Sequence, residues 1–459
     1  MYANTTGKRN VSVGSGALNA NTTADNNIAI GYLSLYANTT GTDNTAVGNQ
    51  ALDANTTGYN NVAVGDRALT TATTANANVA VGRYALKLTT TGANNTAVGD
   101  QALEANTTGE DNTAVGAYSL TANTTGVDNV AVGKSSLAAN TTGDRNVAVG
   151  EQALTANTTG QYNAGIGFAA LYYQTTGSNN TGLGYYALLN NTTASNNTGV
   201  GFNALLANTT GYDNTAVGSQ ALAANTTGDF NTGIGRKAFF KVTTGSNNTA
   251  VGENAAPELT TGGDNSCNGV GAFAVLTTGS NNTAIGRASG GILTTGSNNT
   301  FIGHDAGTSS SPDGGVTTGS NIIILGDNNV SNLKCNVSLT ATSDQRDKTD
   351  ITTFTKGLDI VNSLRPVTYK RDMRSNYSDD YSVTPDGSKK SDKLEIGLLA
   401  QEVETVEKAN GYATSENDRL FISKTTNERH YSLTYERLIP VLINAIKELS
   451  TKVTALEAG

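Results

Sequence analysis

An asparagine returns every 17 residues from Asn10 to Asn299, eighteen times without a slip. So strict a period means a stack of equivalent units, each bearing mainly on its neighbours. Counted from that asparagine the unit reads N-T-A-V-G-x-x-A-L-x-A-N-T-T-G-x-x, as in residues 95–111. Glycine at two positions and the N-T-T-G run leave no stretch long enough for three helical turns, so strands are predicted. Val, Ile or Leu holds the fourth position in nearly every unit (Val13, Ile30, Val47, Val64, Val81), and Ala or Gly almost always the third (Ala29, Ala46, Ala63, Gly165, Gly182). Adjacent strand residues point to opposite faces, so both faces are apolar and both need cover. One face is expected to line the interior of a solenoid and the other to meet another subunit. Leu at the ninth position (Leu52, Leu69, Leu103, Leu154) is predicted to supply a second inward strand, with Gly at the fifth and fifteenth letting the backbone turn. At the spacing of hydrogen-bonded strands, about 4.8 Å, such a stack would stand roughly 85–90 Å tall.

The first-position asparagine has two readings. It is a stacked, hydrogen-bonded ladder, or a turn residue chosen for its tolerance of left-handed φ. The N-T-T triplets also spell glycosylation sequons; in a product of the cytoplasm they are expected to stay unmodified, since Thr already suits a pleated strand. "MYANTTGKRN" has no apolar signal core, and no stretch approaches the roughly 18 apolar residues of a membrane helix, so the chain is expected to be soluble as synthesised, without membrane insertion. Cys267 and Cys335 match no zinc or redox spacing and are expected to be reduced thiols; neither a metal nor a cofactor is implied.

Charge divides the chain unevenly. Of 29 Lys and Arg and 38 Asp and Glu, 17 and 19 fall in residues 343–459, leaving 12 and 19 for the 342 residues before them. That long part offers no basic stripe, which argues against nucleic acid as a partner. Tyrosines collect at turn and flanking positions of the repeats, Tyr185 and Tyr186 among them. Their rings are candidates for contact with a glycan, repeated along an oligomeric rod to build avidity. The plainer reading is that tyrosine tolerates a strand edge and covers neighbouring aliphatics.

The N-x-A-[VI]-G core of these units resembles the head repeats of trimeric autotransporter adhesins over about residues 4–305. Here the repeat is longer, by an added N-T-T-G segment. The resemblance implies a homotrimer of parallel β-rolls. Regularity loosens at Pro257 and Asn268 and breaks at "GTSSSPDGGVTTGSN", residues 307–321. "NIIILGDNNVSNLKCNVSLTA" then reads as one or two closing strands.

From Ser343 the composition turns globular. In "TFTKGLDIVNSLRPVTYK" (353–370), Leu358, Val361 and Leu364 share a helical face that stops at Pro366. Residues 381–393 read as a polar loop, and 394–409 as a short strand running into a helix. Tyr435, Ile439, Leu442, Ile446, Leu449, Val453 and Leu456 alternate steps of four and three, the a/d seam of a coiled coil over about 435–457. The alternative is a core helix of one chain.

"SDQRDK", "LDIVNSLRPVTY", "GLLAQEVE" and "YSLTYERLIPVLINAIKELSTKVTALE" stand together, in that order. They resemble the C-terminal intramolecular chaperone of endosialidase tailspikes and many phage tail fibres, over essentially all of residues 340–459. The resemblance implies a domain that trimerises, helps a β-rich fibre fold, and cuts itself off before the motif serine. It assigns Ser343 as nucleophile, Lys348 as base, and the cut between Thr342 and Ser343, a serine peptidase acting once, in cis. Chemistry agrees with the pairing: a serine hydroxyl needs a base, and a neutral lysine amine can serve. Without the resemblance, S-x-x-x-x-K alone would carry little. Asp344 and Arg346 belong to the same motif and either orient the reacting groups or form a salt bridge that shapes the turn. Gly397, Gln401 and Glu402 are expected to serve folding.

The fold expected is mainly β: a parallel β-solenoid (1–305), an irregular insertion with closing strands (306–342), and an α+β chaperone domain (343–459) ending in a trimeric coiled-coil helix. The function expected is a receptor-binding fibre of a phage virion, synthesised in the host cytoplasm. Its partners would be a host cell-surface glycan or other receptor and other tail fibre or baseplate proteins. A cellular adhesin and a polysaccharide-degrading tailspike are the alternatives. The tailspike needs paired carboxylates, and acids such as Asp100, Glu104, Glu110 and Glu151 sit at variable turn positions.

Overall fold

The computed structural model describes residues 2–311, 314–330, 333–334, 343–372, 374, 377, 383–424 and 431–459. It divides into two compact units, Met1–Ile302 with Thr317–Ile323, and Gly303–Val316 with Ile324–Gly459.

The first unit is a parallel β-solenoid of 17-residue coils. Each coil contributes one three-residue strand, from β1 (Val11–Val13) to β18 (Thr300–Ile302), and a nineteenth, β19 (Ile323–Leu325), closes the sheet. Successive strands pair parallel with like positions opposite, for example Ala46 against Ala63 and Val47 against Val64. In each strand the third-position residue points inward; Ala46, Ala63, Ala80 and Ala97 are fully buried. The fourth-position aliphatics face outward and remain partly exposed, Val98, Val115, Val132 and Val149 at 36–37%. This is the two-faced strand expected from the repeat, with its outer face uncovered in a single chain.

The ninth-position leucine corrects one expectation. It points inward and is fully buried, but it lies in a turn and not in a second strand. Leu103 has φ +51°, and the same left-handed backbone recurs at Leu18, Leu35, Leu52 and on to Leu222. A left-handed L-residue costs about 1–2 kcal/mol; burying a leucine returns about 1.5–3 kcal/mol. Burial therefore wins, and the turn closes each coil. Glycine holds the fifteenth position in most coils, with alanine at Ala24, Ala75 and Ala194, for a different reason. A Cβ on Gly109 would stand 2.5 Å from both Asn106 Oδ1 and the carbonyl oxygen of Gly126 in the next coil.

The first-position asparagine proves to be a ladder. Asn44 N–H donates to Asn27 Oδ1 at 3.0 Å, Asn61 N–H to Asn44 Oδ1 at 3.0 Å, and so on along the stack, while Asn44 Nδ2 donates to Gly58 O at 2.9 Å. The N-T-T-G asparagine forms a second buried ladder that the sequence reading missed: Asn38 Nδ2 donates to Asn21 Oδ1 at 3.1 Å and to Gly41 O at 2.9 Å. These amides are buried and engaged, so a glycan has no access to them.

Where the second ladder is interrupted, it leaves an orphan. Asn55 Oδ1 is buried without a hydrogen bond because Ala72 holds the next rung, and Asn225 Oδ1 because Val242 does. Ala72→Asn is expected to satisfy Asn55 and stabilise the chain by about 1 kcal/mol. Val242→Asn should give no gain, because its own oxygen would then face Leu259. Guanidinium midpoints of the two variants decide; a gain from both, or from neither, would show that the orphan oxygen is not what limits stability there.

Cys267 takes the inward third position, where burial pushes its thiol pKa up and keeps it protonated. Cys335 lies outside the described residues. The insertion after β18 appears as a longer step: Thr294 Oγ1 bonds Thr317 O, 23 residues on instead of 17.

The second unit contains α1 (Leu358–Ser363), the antiparallel pair β20 (Val367–Tyr369) and β21 (Glu395–Gly397), α2 (Ala400–Ala409), the pair β22 (Ile422–Lys424) and β23 (Tyr431–Leu433), and α3 (Leu438–Glu457). Its core is Ile360, Val403, Phe421, Ile422 and Val441, with Val361, Leu364 and Leu398 packed against it. Ile360 is thus the fully buried residue of α1, while Val361 and Leu364 of the expected face lie partly buried at its margin. Gly397 is fixed by close approach, since a Cβ there would lie 2.7 Å from Tyr435 Oη, which accepts from Leu398 N–H at 3.0 Å. Glu402 of α2 pairs with Arg365, which ties α2 to the end of α1. No described helix is long and apolar enough to cross a membrane.

Candidate active site

Ser343 and Lys348 flank one turn of 3-10 helix, Gln345–Asp347. Asp344 starts that turn: its Oδ1 accepts from Arg346 N–H at 2.9 Å, which satisfies an otherwise free donor at the start of the turn. The Arg346 guanidinium folds back onto the same carboxylate, Nη2 to Oδ2 at 2.6 Å, and holds its pKa below the usual range for Asp. Lys348 N–H donates to Gln345 O at 3.2 Å and ends the turn. The chain so bent returns the lysine to the serine. Lys348 Nζ lies 2.6 Å from Ser343 Oγ and 3.2 Å from the Ser343 carbonyl oxygen.

The candidate nucleophile and base are therefore within one hydrogen bond, and Asp344 and Arg346 form the turn that puts them there. Both members of the pair are exposed in the single chain. Thr342, on the other side of the expected cut, lies outside the described residues, as does His430. His304 is engaged elsewhere, with Asp305 at 3.2 Å. Among the described residues no group of three or more His, Cys, Asp or Glu is placed to hold a metal.

The expected seam lies on one side of α3. Ile439, Leu442, Ile446, Leu449, Val453 and Leu456 are 48–81% exposed, whereas Val441 and Ala445, on the adjoining side of the helix, are buried. One helix thus serves two faces, an inner one for its own domain and an outer apolar one. Tyr435 and Leu442 also border an apolar groove of about 390 Å³ with Leu364, Pro366, Ile396 and Leu438.

Tyr185 and Tyr186 lie side by side, centroids 4.1 Å apart. Tyr185 is stacked between Phe168 of the coil before and Phe202 of the coil after, at 5.3 and 5.8 Å with the planes 16° and 17° apart. Both faces of the Tyr185 ring are thus occupied by neighbours, which leaves its edge to solvent, while its hydroxyl is hydrogen-bonded to the Tyr186 side chain.

Residues 343–412 match the family model described as chaperone of endosialidase, a self-cleaving chaperone domain, and the match begins at Ser343. The chain thus carries an intramolecular chaperone domain after a β-solenoid of 17-residue coils. Neither a curated protein nor a solved structure matches it.

Proposed function

We propose that the protein is a trimeric fibre of a phage virion whose C-terminal domain aligns three chains, assists their folding and then removes itself by cutting before Ser343. The observation that carries this reading is the 2.6 Å contact between Lys348 Nζ and Ser343 Oγ at the first residue of the chaperone match. Nucleophile and scissile carbonyl belong to neighbouring residues, so attack closes a five-membered ring. Lys348, unprotonated, takes the hydroxyl proton as Oγ adds to the carbonyl carbon of residue 342. The C–N bond then breaks, its nitrogen takes up a proton, and an ester joins residue 342 to Ser343 Oγ. Water hydrolyses that ester and frees both termini.

The chemistry is tested by trapping. Hydroxylamine added to freshly folded chain should convert the ester to a hydroxamate on Thr342 and speed release of a fragment beginning at Ser343. A fragment beginning elsewhere would displace Ser343 from the mechanism.

The biological logic follows from the repeat. Three chains of identical coils can pair out of step by a whole unit at little cost. A trimeriser at one end fixes the alignment, and its removal leaves a fibre that unfolds slowly because its template is gone. A bacterial surface adhesin with the same domain is the second reading, supported by the N-x-A-[VI]-G core of the coils.

Receptor contact is assigned to the aromatic belt of coils 10 to 12. Residues 152–212 carry no charged side chain, and Tyr185, Tyr186, Phe168 and Phe202 lie there among amides and hydroxyls. This suits a neutral glycan held by hydroxyl contacts and by the Tyr186 ring. Tyr185→Ala with Tyr186→Ala should weaken binding to host cells about tenfold or more through lost avidity, while processing stays unchanged. Equal binding would move the site away from this belt.

A further inference from the structure

The interior of the solenoid changes character near its end. At the ninth position the first thirteen coils, Leu18 to Leu222, carry leucine without exception. The next four carry Phe239, Ala256, Phe273 and Gly290, large alternating with small. In the same coils the twelfth position turns from the asparagine ladder, interrupted earlier only at Ala72, Thr89 and Gln174, to Val242, Leu259, Leu276 and Leu293. All eight of these residues are buried, and the missing side chain of Gly290 is where its neighbours meet. A Cβ on Gly290 would stand 2.5 Å from the Phe273 ring and 2.9 Å from that of Phe301, and those two rings contact edge to face with centroids 6.1 Å apart.

The two kinds of interior differ in how many alignments they allow. Among coils 1 to 13 nearly every interior side chain has a like partner in the coil above and in the coil beyond it. Pairing a coil with its second neighbour would extrude one repeat as a loop and leave the core chemistry almost unchanged, at the modest cost of loop closure. Coils 14 to 18 do not permit that. Displaced by one repeat, phenylalanine would meet phenylalanine in one place and glycine would leave a void in another, and tightly packed interiors accommodate neither.

We infer that residues 231–302 are the register key of the solenoid: they fold first, in the one alignment their interior accepts, and the interchangeable coils are added from them toward the N-terminus. The asparagine ladders then extend an alignment already set. The inference stands on the interior of the solenoid alone and does not depend on self-cleavage.

The test compares refolding of the full chain from denaturant, followed by far-ultraviolet circular dichroism, in Phe273→Ala and Leu103→Ala. Phe273→Ala should slow refolding about tenfold or more, whereas Leu103→Ala should refold within about twofold of the wild type and show its destabilisation as faster unfolding. Equal slowing by the two, or greater slowing by Leu103→Ala, would overturn the proposal. Should Phe273→Ala fail to fold, a second variant decides: the key is made uniform by Phe239→Leu, Ala256→Leu, Phe273→Leu, Gly290→Leu and Phe301→Ala. Its preparation should contain molecules nicked by protease within a single extruded repeat, at differing coils, as read by fragment masses. A variant as uniformly resistant as the wild type would show that the alternation does not set the register.

Discussion

Ser343→Ala is expected to leave every chain whole, and Lys348→Ala to slow release by about 10²–10⁴-fold, the usual worth of a positioned general base. The first variant removes the only atom that forms the ester; the second removes the amine 2.6 Å from it while the turn that shapes the site persists. Asp344→Asn should slow release less than Lys348→Ala, falling between that variant and the wild type. It keeps an oxygen for the Arg346 N–H but loses the charge that draws the guanidinium back, so the turn loosens without losing a reacting group. Processing is read as the fraction of whole chain over time by mass. Unaltered release in Lys348→Ala would remove the lysine from the mechanism and leave the serine to be activated by another base.

Leu449→Asp with Leu456→Asp is expected to abolish ordered assembly. These side chains are 49% and 81% exposed, and neither belongs to the core of the domain, so the single chain should fold much as before. In a coiled coil each would sit in an apolar layer repeated from every chain, where a buried carboxylate finds no partner and costs several kcal/mol. The expected result is a domain that keeps native helix content but no longer joins three chains, carrying solenoids that aggregate or remain unfolded. A trimer of wild-type stability would mean that the outer face of α3 is not the seam and would shift attention to the groove beside Tyr435.

The period of 17 residues alone made much of the fold legible. It placed the strands of the stack, and the pairing of a small third residue with an aliphatic fourth showed that both faces need cover; which of the two faces inward became clear only from the structure. What it concealed is physical in origin. Leucine is a poor signal for a left-handed turn, so the ninth position read as strand; only packing shows that its burial offsets the strained backbone at Leu103. The second ladder was hidden because N-T-T suggested threonine in a strand, and nothing in a linear repeat reveals that Asn38 reaches Asn21. The glycine at 290 and the phenylalanine at 273 were both visible, but their complementarity needs the coils to be stacked. At the site, residue types and spacing suggested the Ser343 and Lys348 pair only with the family resemblance beside them. The device that joins the pair is the Asp344 cap on a single 3-10 turn, a role the sequence could not separate from an ordinary salt bridge. The outer valines and the α3 seam share a different limit: a single chain states which faces lack cover, and leaves the covering partner to be measured.

Native mass spectrometry of the purified wild-type protein tests assembly and self-removal at once. The expected result is a particle of three copies of residues 1–342, together with released residues 343–459 beginning at Ser343. A particle of one intact chain, or a trimer that keeps its C-terminal domain after prolonged incubation, would contradict it.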